Sequence, residues 1–560
     1  MVLFPQDIDR SHLFKQLASI MPQWAMGVDE TDTALALARR CFTHTADGPH
    51  TPLIQTVGFD LASWTWQKNP LHAEATELLG HIIPKDHSLA PILQSLLAIH
   101  KSGSEKLQEE VNQLLSIVQS GETAQIVKQL IPRLANPSEG LFRFVCIYET
   151  LLKCSNKDIS LAALETVTFP EVLHPLKDML KAQWSFLHDS QEQTLQQLDC
   201  CSEELFPTWL SYLKTETLLR STSHVPGESE CQRGKEQLSA LIRRMPWHPT
   251  LPLKLAALSD TSIYNGDFSE VCILLYSWNK ADLVDATLTS IAESDTGKAK
   301  IYFLDNGSTD HMQDVIKKHQ KYFGKKLHPV RLPINIGAPA ARNWLLSLPE
   351  VTKYEYAAFL DDDVILPAYW LKHLMATATN YSANTDQNPP AVTGCRIISA
   401  TTPDNLQSAD YNMYEPQDAP GMITNQPENI RVFDNCAGSI DYGLFNYCRR
   451  AVSVSGCCHL LHIPQIAKTG LFDIRFSPTQ FDDLERDIRA NDHGQTVVYN
   501  GTLAIRHIQH SSLVRAKSNA AMGHIFGNKL KLEAKYTKAQ LQKIFETNRK
   551  SLWKTLFATA

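Results

Sequence analysis

Three consecutive carboxylates, Asp361 to Asp363, end the apolar run in YEYAAFLDDDVIL. In a dry site such groups repel one another, so a cation is expected among them. Alternate carboxylates at a loop start can face one way and hold a hard divalent ion beside a diphosphate. A solvated acidic turn is the plainer use of the same residues. In FLDNGSTD, Asp305 ends another apolar run before a Gly-Ser-Thr turn. It could accept a hydrogen bond from a base or ribose, or form an Asx turn with Thr309 or Asp310 capping the next helix. In NIGAPAARN, Gly337 permits close backbone approach, and Arg342 one turn later can reach a carboxylate or phosphate. A helix start with a structural Arg–Asp pair would look the same. Asp482 and Asp483 open a helix that also carries Glu485, Arg486, Asp487 and Arg489, a pattern shared by any solvated charged helix. The helix closes at a DHG C-cap (Asp492–Gly494). A strand TVVY follows, and His507 is expected beyond a second turn. His507 and His510 have the spacing of a two-histidine metal site. With no carboxylate or cysteine nearby in sequence, His507 is the candidate ligand and His510 its neighbour.

These residues need elements to hold them. From about Gly266 strands and helices alternate: EVCILLYSW, ADLVDATLTSIAES, KAKIYFLDN, HMQDVIKKHQKYF, HPVRLP, APAARNWLLSL and YEYAAFLDDD. This alternation predicts a mostly parallel, doubly wound α/β sheet. Ligands of such sheets bind at the carboxyl ends of the strands, so Asp305 and Asp361 to Asp363 should share one crevice. Before residue 265 the pattern is helix after helix, as in EKLQEEVNQLLSIVQS and TAQIVKQLIPRLA, with apolar residues every three or four positions. LIRRMPWHPTLPLKLAAL resembles a degenerate helical repeat, though no regular period is found. The expected division is a helical domain (1–265), an α/β domain (266–514) and a basic helical tail (515–560).

The chain has 560 residues and a formal net charge of −7, which argues against a nucleic-acid partner. The tail from Arg515 onward holds ten Lys/Arg against two Glu. Its Leu541, Ile544, Phe545, Leu552 and Leu556 share a helical face. That face suits either a membrane-surface helix or a cap packed on the acidic body. The twelve cysteines include two adjacent pairs, Cys200–Cys201 and Cys457–Cys458, spacing that suits neither disulfides nor zinc. Reduced thiols and a cytoplasmic chain, peripheral at most to the inner face of a membrane, are expected. The start MVLFPQDIDRSHLF lacks the basic and apolar regions of a signal peptide. The longest uncharged candidate span, Ala451–Ala467, is interrupted by Ser, His and Pro.

Taken in order, strand-Asp305, NxGxxxARN, strand-Asp361-Asp362-Asp363 and a DD helix with a trailing His507 resemble the inverting family-2 glycosyltransferases of GT-A fold. ILLYSWN (Ile273–Asn279) stands where their first-strand signature falls, and the resemblance runs from about Val271 to His510. The spacing from Asp483 through Gly494 to His507 is similar to that of bacterial galactofuranosyl-type transferases. The resemblance implies a nucleotide-sugar site. Asp305 would contact the base, and Tyr276, Ser277 and Trp278 would line the base and ribose pocket. Gly337, Arg342, Asp361 and Asp362 would lie along the donor. Asp361, Asp363 and His507 would hold Mn²⁺ or Mg²⁺, with the imidazole favouring Mn²⁺. Asp483 would be the base, with Asp482 orienting acceptor or base. Tyr-Ser-Trp-Asn replaces the usual Pro-Thr-Tyr-Asn, and Asp482–Asp483 replaces Glu-Asp, which leaves the base between two adjacent carboxylates.

The expected reaction moves a sugar from a nucleotide sugar, UDP-linked by preference, to a glycan, lipid-linked saccharide or protein, with inversion. Two alternatives stand beside it. A helical-repeat scaffold could carry a transferase-like domain that binds without turnover. A nucleotidyltransferase would want a Gly-rich phosphate loop with a basic residue, which SWNKADLVD does not offer. The helical half would serve acceptor-protein recognition, oligomerisation or contact with other enzymes.

Overall fold

The computed structural model describes residues 8–27, 30–43, 51–220, 228–260, 263–385, 388–416, 429–433, 436, 438–508 and 519–558. Before residue 260 the described residues form fourteen α-helices, from Arg10–Ile20 to Thr250–Ser259. Glu105–Ser120 shows why the sequence folds this way. Leu107, Val111, Leu114 and Val118 are buried along one face, Ser104 caps the Leu107 N–H, and Gly121 ends the helix in the left-handed conformation.

The alternation after residue 265 forms a sheet. β1 (Val271–Ser277), β2 (Lys300–Asp305), β3 (Leu327–Arg331) and β4 (Tyr356–Leu360) pair in parallel in the order β3-β2-β1-β4. β1 is buried along nearly its whole length, as a parallel strand covered on both faces must be.

The other half differs from the mostly parallel expectation. Its strands are β5 (Val364–Ile365), β6 (Val392–Ser399), β7 (Leu406–Ser408), β8 (Asn412–Met413), β9 (Val432–Phe433), β10 (Cys448–Ala451), β11 (Cys458–His462) and β12 (Val497–His507). β11 inserts antiparallel between β4 and β6, β12 runs parallel to β6, and β10 pairs antiparallel to β12. The sheet is therefore mixed, and β8 and β9 pair apart from it.

The second turn expected before His507 is absent. β12 is a single strand of 11 residues whose register against β6 shifts between Asn500 and Ala504. A Cβ at Gly501 would stand 1.8 Å from the Phe445 carbonyl oxygen. The glycine there serves a bulge with close backbone approach, not a turn.

The change of pattern near residue 265 does not separate two cores. One buried apolar cluster runs from Leu13 and Trp209 through Cys272 and Tyr499 to Leu556. Buried polar contacts cross it too. Arg449 pairs with Asp410 and donates to the carbonyls of Ala25 (2.8 Å) and Met26 (2.6 Å). Lys254 pairs with Glu216 and donates to the Gly443 carbonyl at 2.6 Å.

The tail forms helices Asn519–Lys535 and Lys538–Ala558. Leu541, Ile544, Phe545, Leu552 and Leu556 are all buried in the protein's own core. This corrects the membrane-surface reading of that face, because its apolar side chains are already covered. Ala451–Ala467 spans the end of β10, all of β11 and part of a short helix. No helix among the described residues is long and apolar enough to cross a membrane.

Candidate functional site

The carboxyl ends of β1 and β4 bring the first residues together. β4 ends at Leu360, so Asp361 to Asp363 fall where the strand gives way to a turn. Their three side chains diverge. Asp362 is 8% exposed and turns back into the fold, accepting from Ser277 Oγ at 2.7 Å and Lys280 Nζ at 2.6 Å. Burial pushes its carboxyl up to about 6, with Lys280 acting the other way. Ser277 is itself 1% exposed. Ser277 and Asp362, both expected along the donor, bond each other and fix the acidic turn. Lys280, unnoticed in the sequence as a partner for the acids, also lies 3.4 Å from Asp363.

Asp363 and His507 meet directly. His507 Nε2 is 2.9 Å from Asp363 Oδ1, while its Nδ1 faces Gln407 Oε1 at 2.6 Å. Nδ1–H donation to Gln407 fixes the ring so that Nε2 faces Asp363. Burial disfavours the charged imidazole, but Cys457 and Asp363 outweigh it and push His507 up to about 11. A metal ion would have to displace that proton.

Asp361, Cys457 and His507 each offer one ligand atom, all within 4.8 Å of one another. An oxygen, a nitrogen and a sulfur around one point fit a divalent cation. Asp363, also expected as a ligand, borders this trio through His507. Cys457 was missed because an adjacent cysteine pair has no metal-site spacing. Its partner Cys458 lies within β11 and is fully buried, whereas Cys457 precedes the strand and faces the cleft. Burial pushes the Cys457 thiol up. His510 lies outside the described residues.

Arg342 joins this cluster to the second acidic pair. Arg342 is 6% exposed; its guanidinium pairs with Asp482 through Nη1 and lies 3.6 Å from Asp361 through Nη2. Its cationic face lies over Tyr276, 5.4 Å from the ring centre, and over Phe472 at 5.2 Å. The structural Arg–Asp pair and the acidic turn thus share one side chain. Tyr276 is half-buried and stacked on Arg342, whereas Trp278 is 38% exposed.

The structure treats Asp482 and Asp483 differently. Asp482 is 2% exposed and engaged by Arg342; burial raises its carboxyl and Arg342 opposes the rise. Asp483 is half-buried, and its Oδ2 accepts from the Gly456 N–H at 3.0 Å. A Cβ at Gly456 would stand 2.6 Å from that oxygen, so a larger residue there would push the Asp483 carboxylate aside. Gly456 precedes Cys457, which ties Asp483 to the trio through one peptide unit. Beneath, Asp487 binds Arg486 and accepts from Ser453 Oγ at 2.8 Å.

Asp305 and Gly337 have structural tasks. Asp305 is fully buried, accepting from the Ser308 N–H (2.8 Å) and Gln313 Nε2 (2.6 Å), with Arg331 at 3.5 Å. Gly337 has φ +84°, and a Cβ would stand 3.3 Å from the Pro478 backbone. The close approach found at Gly337 is to the 477–478 segment of the protein.

Residues 272–415 match the family model described as Glycosyl transferase family 2. No curated protein matches the chain. Among solved structures it is similar to a crystal structure of GalNAc-T7 with UDP, GalNAc and Mn²⁺, at 12% identity and TM-score 0.36, over 51% of this chain and 55% of that one. It is also similar to the mannosyltransferase PcManGT from Pyrobaculum calidifontis in complex with GDP-Man and Mn²⁺, at 13% identity and TM-score 0.33, over 62% and 85%. The chain thus spans about half the length of the first of these, and likenesses this slight lend no ligand or reaction to it. The matched stretch takes in nearly all of β1, the acidic turn after β4 and the crossing into the mixed half of the sheet, so the similarity to glycosyl transferase family 2 falls on the residues that carry the acidic turn.

Proposed function

We propose that the cleft transfers a glycosyl group from a nucleotide sugar, UDP-linked by preference, to an acceptor hydroxyl, with inversion at the anomeric carbon. The acceptor is a glycan, a lipid-linked saccharide or a protein. The observation that carries this reading is the chain of contacts from Asp363 and His507 through Cys457, Asp361 and Arg342 to Asp482 and Asp483. It links three residues that could hold a cation to the paired carboxylates Asp482 and Asp483.

Asp361, Cys457 and His507 would hold the divalent cation, with Asp363 orienting His507. The bound ion would neutralise the negative charge that grows on the leaving diphosphate. A set that includes imidazole and thiol favours Mn²⁺ over Mg²⁺, which prefers oxygen. Lys280 fixes Asp362 and so the turn that presents Asp361.

The acceptor hydroxyl is a poor nucleophile at neutral pH, and a carboxylate must take its proton as it attacks. Such assistance is worth about 10²–10⁴-fold. Asp483 suits the task better than Asp482. Its carboxylate is half-buried and held by a backbone N–H, whereas Asp482 is covered and paired with Arg342. Asp482 and Arg342 would then keep the pair of carboxylates in register. One displacement with the base opposite the leaving group inverts the anomeric carbon.

A panel of nucleotide sugars with Mn²⁺ tests the reading, scored by released nucleoside diphosphate with candidate acceptors present. Metal-dependent release from one donor class supports it. Tight binding of donors without any release would favour the non-catalytic scaffold instead.

A further inference from the structure

The acidic helix Asp482–Asp492 starts in an unusual way. The residues that lead into it, Gln480 and Phe481, have φ of +81° and +69°. Two successive non-glycine residues in the left-handed region persist only where surrounding structure holds them. No side chain of the 476–481 loop caps the helix; Phe481 stands at the N-cap without a side-chain hydrogen bond.

The hold comes from the tail. Asn528, in the middle of helix Asn519–Lys535, is 1% exposed. Its Nδ2 donates to the carbonyls of Phe476 (2.9 Å), Thr479 (2.9 Å) and Gln480 (3.3 Å). Its Oδ1 accepts from Lys531 Nζ at 2.9 Å, and Lys531 also donates to the Arg475 carbonyl at 2.7 Å. One buried amide thus ties together three carbonyls of a strained loop. The opposite side of the loop is pinned by the Ala338 N–H, which donates to the Pro478 carbonyl at 2.8 Å.

Contacts continue into the acidic helix. Lys535 Nζ lies 2.6 Å from Glu485 Oε1, and Tyr536 Oη donates to the same oxygen at 2.8 Å. Leu532 and Tyr536 share a buried cluster with Phe476 and Ile488, and Phe481 and Leu484 pack against it. All these tail residues lie beyond the family match at 272–415.

We propose that Asn528 is a positioning residue for the transfer reaction: through the 476–481 loop it sets the direction in which Asp483 enters the cleft. The inference rests on the reading of Asp483 as the base. In it, the basic tail is a brace for the acid–base pair. Asp483 makes its own contact with Gly456 across the cleft, so a loop that relaxes would swing the carboxylate away from a fixed acceptor. A misplacement of about 1 Å can reduce a rate by roughly 10²-fold.

The test uses the full chain with Asn528→Ala and, as a gentler variant, Lys531→Met, whose side chain lies at the surface. Three quantities are read: kcat for transfer, affinity for UDP with Mn²⁺ by calorimetry, and amide hydrogen exchange across residues 476–484. In Asn528→Ala, kcat should fall by about 10²-fold while UDP affinity stays within about twofold. Exchange at 476–484 should quicken at least about tenfold, with β1 and β4 unchanged; Lys531→Met should move the same quantities less. Unchanged exchange at 476–484 would overturn the brace, and so would a parallel loss of UDP affinity, kcat and protection throughout the sheet. If the wild-type chain transfers no sugar, the transferase reading and the positioning role fall together. Faster exchange confined to 476–484 would then show that the loop is braced for some other purpose.

Discussion

Arg342 is where the account is most exposed to a stability measurement. Replacing it by Met keeps an apolar stem against Tyr276 and Phe472 but removes the cation that faces Asp482 and Asp361. Asp482 is 2% exposed. Breaking a buried pair by removing one partner costs about 3–5 kcal/mol, because the remaining charge is left uncompensated. Arg342→Met should therefore lose about that much at pH 8. The double variant Arg342→Met with Asp482→Asn removes both charges and should recover all but about 1 kcal/mol, so the coupling is about 2–4 kcal/mol plus whatever Asp482→Asn costs alone. The pH dependence follows from the same burial. Without Arg342, the largest opposition to the upward push of burial on Asp482 is gone, and its folded pKa stands further above the unfolded value near 3.9. The folded variant then binds more protons than the unfolded chain. Its stability is highest below the unfolded pKa and falls as pH rises through the raised one. The deficit against wild type should be smaller at pH 5 than at pH 8. Urea denaturation of the four chains of this cycle at both pH values measures it. A coupling below about 0.5 kcal/mol, within the scatter of independent sites, or an equal deficit at both pH values, would refute the reasoning.

Other expectations are simpler. Cys457→Ser should weaken Cd²⁺ binding at least about tenfold while leaving Mg²⁺ within about twofold, since only the thiophilic ion gains from sulfur; competition titration reads both, and equal Cd²⁺ affinities would remove Cys457 from the ligand set. Asp60 sits buried in the helical half, where burial pushes its carboxyl up to about 7 against the pull of Trp247 and Arg244. Its folded pKa exceeds the unfolded one, so its contribution is most favourable below about pH 4 and declines up to about pH 7. Asp60→Asn should therefore stabilise the chain at pH 8, by at most about 4 kcal/mol, with little effect at pH 4; melting curves showing no gain at pH 8 would contradict this.

Much of the α/β half was legible because its signals are local. An apolar run closing on a carboxylate is a strand end wherever it pairs, and the positions of Asp305 and Asp361 to Asp363 followed from that alone. The helix beginning at Asp482 was equally readable from its charges and the Gly494 stop. What local reading could not reach was decided by distant contacts. Asn500–Gly501 looks like a turn, yet the glycine answers to the Phe445 carbonyl. Gly337 looks like a ligand approach, yet it answers to Pro478. Lys280 and Cys457 join the acids only after the chain has folded across separations of 82 and about 50–100 residues. The antiparallel insertion of β11 is a pairing choice that periodicity does not express. Asn528 has no motif; its role comes from three carbonyls that a strained loop turns toward it.

The central claim is that one cleft couples a cation-held diphosphate to a carboxylate that takes the acceptor's proton. Side-by-side assay of wild type and Asp483→Asn, with the responsive nucleotide sugar, Mn²⁺ and acceptor, tests it most directly. The account predicts that Asp483→Asn binds the donor as wild type does but transfers at least about 10²-fold more slowly. Near-native turnover by Asp483→Asn would contradict it.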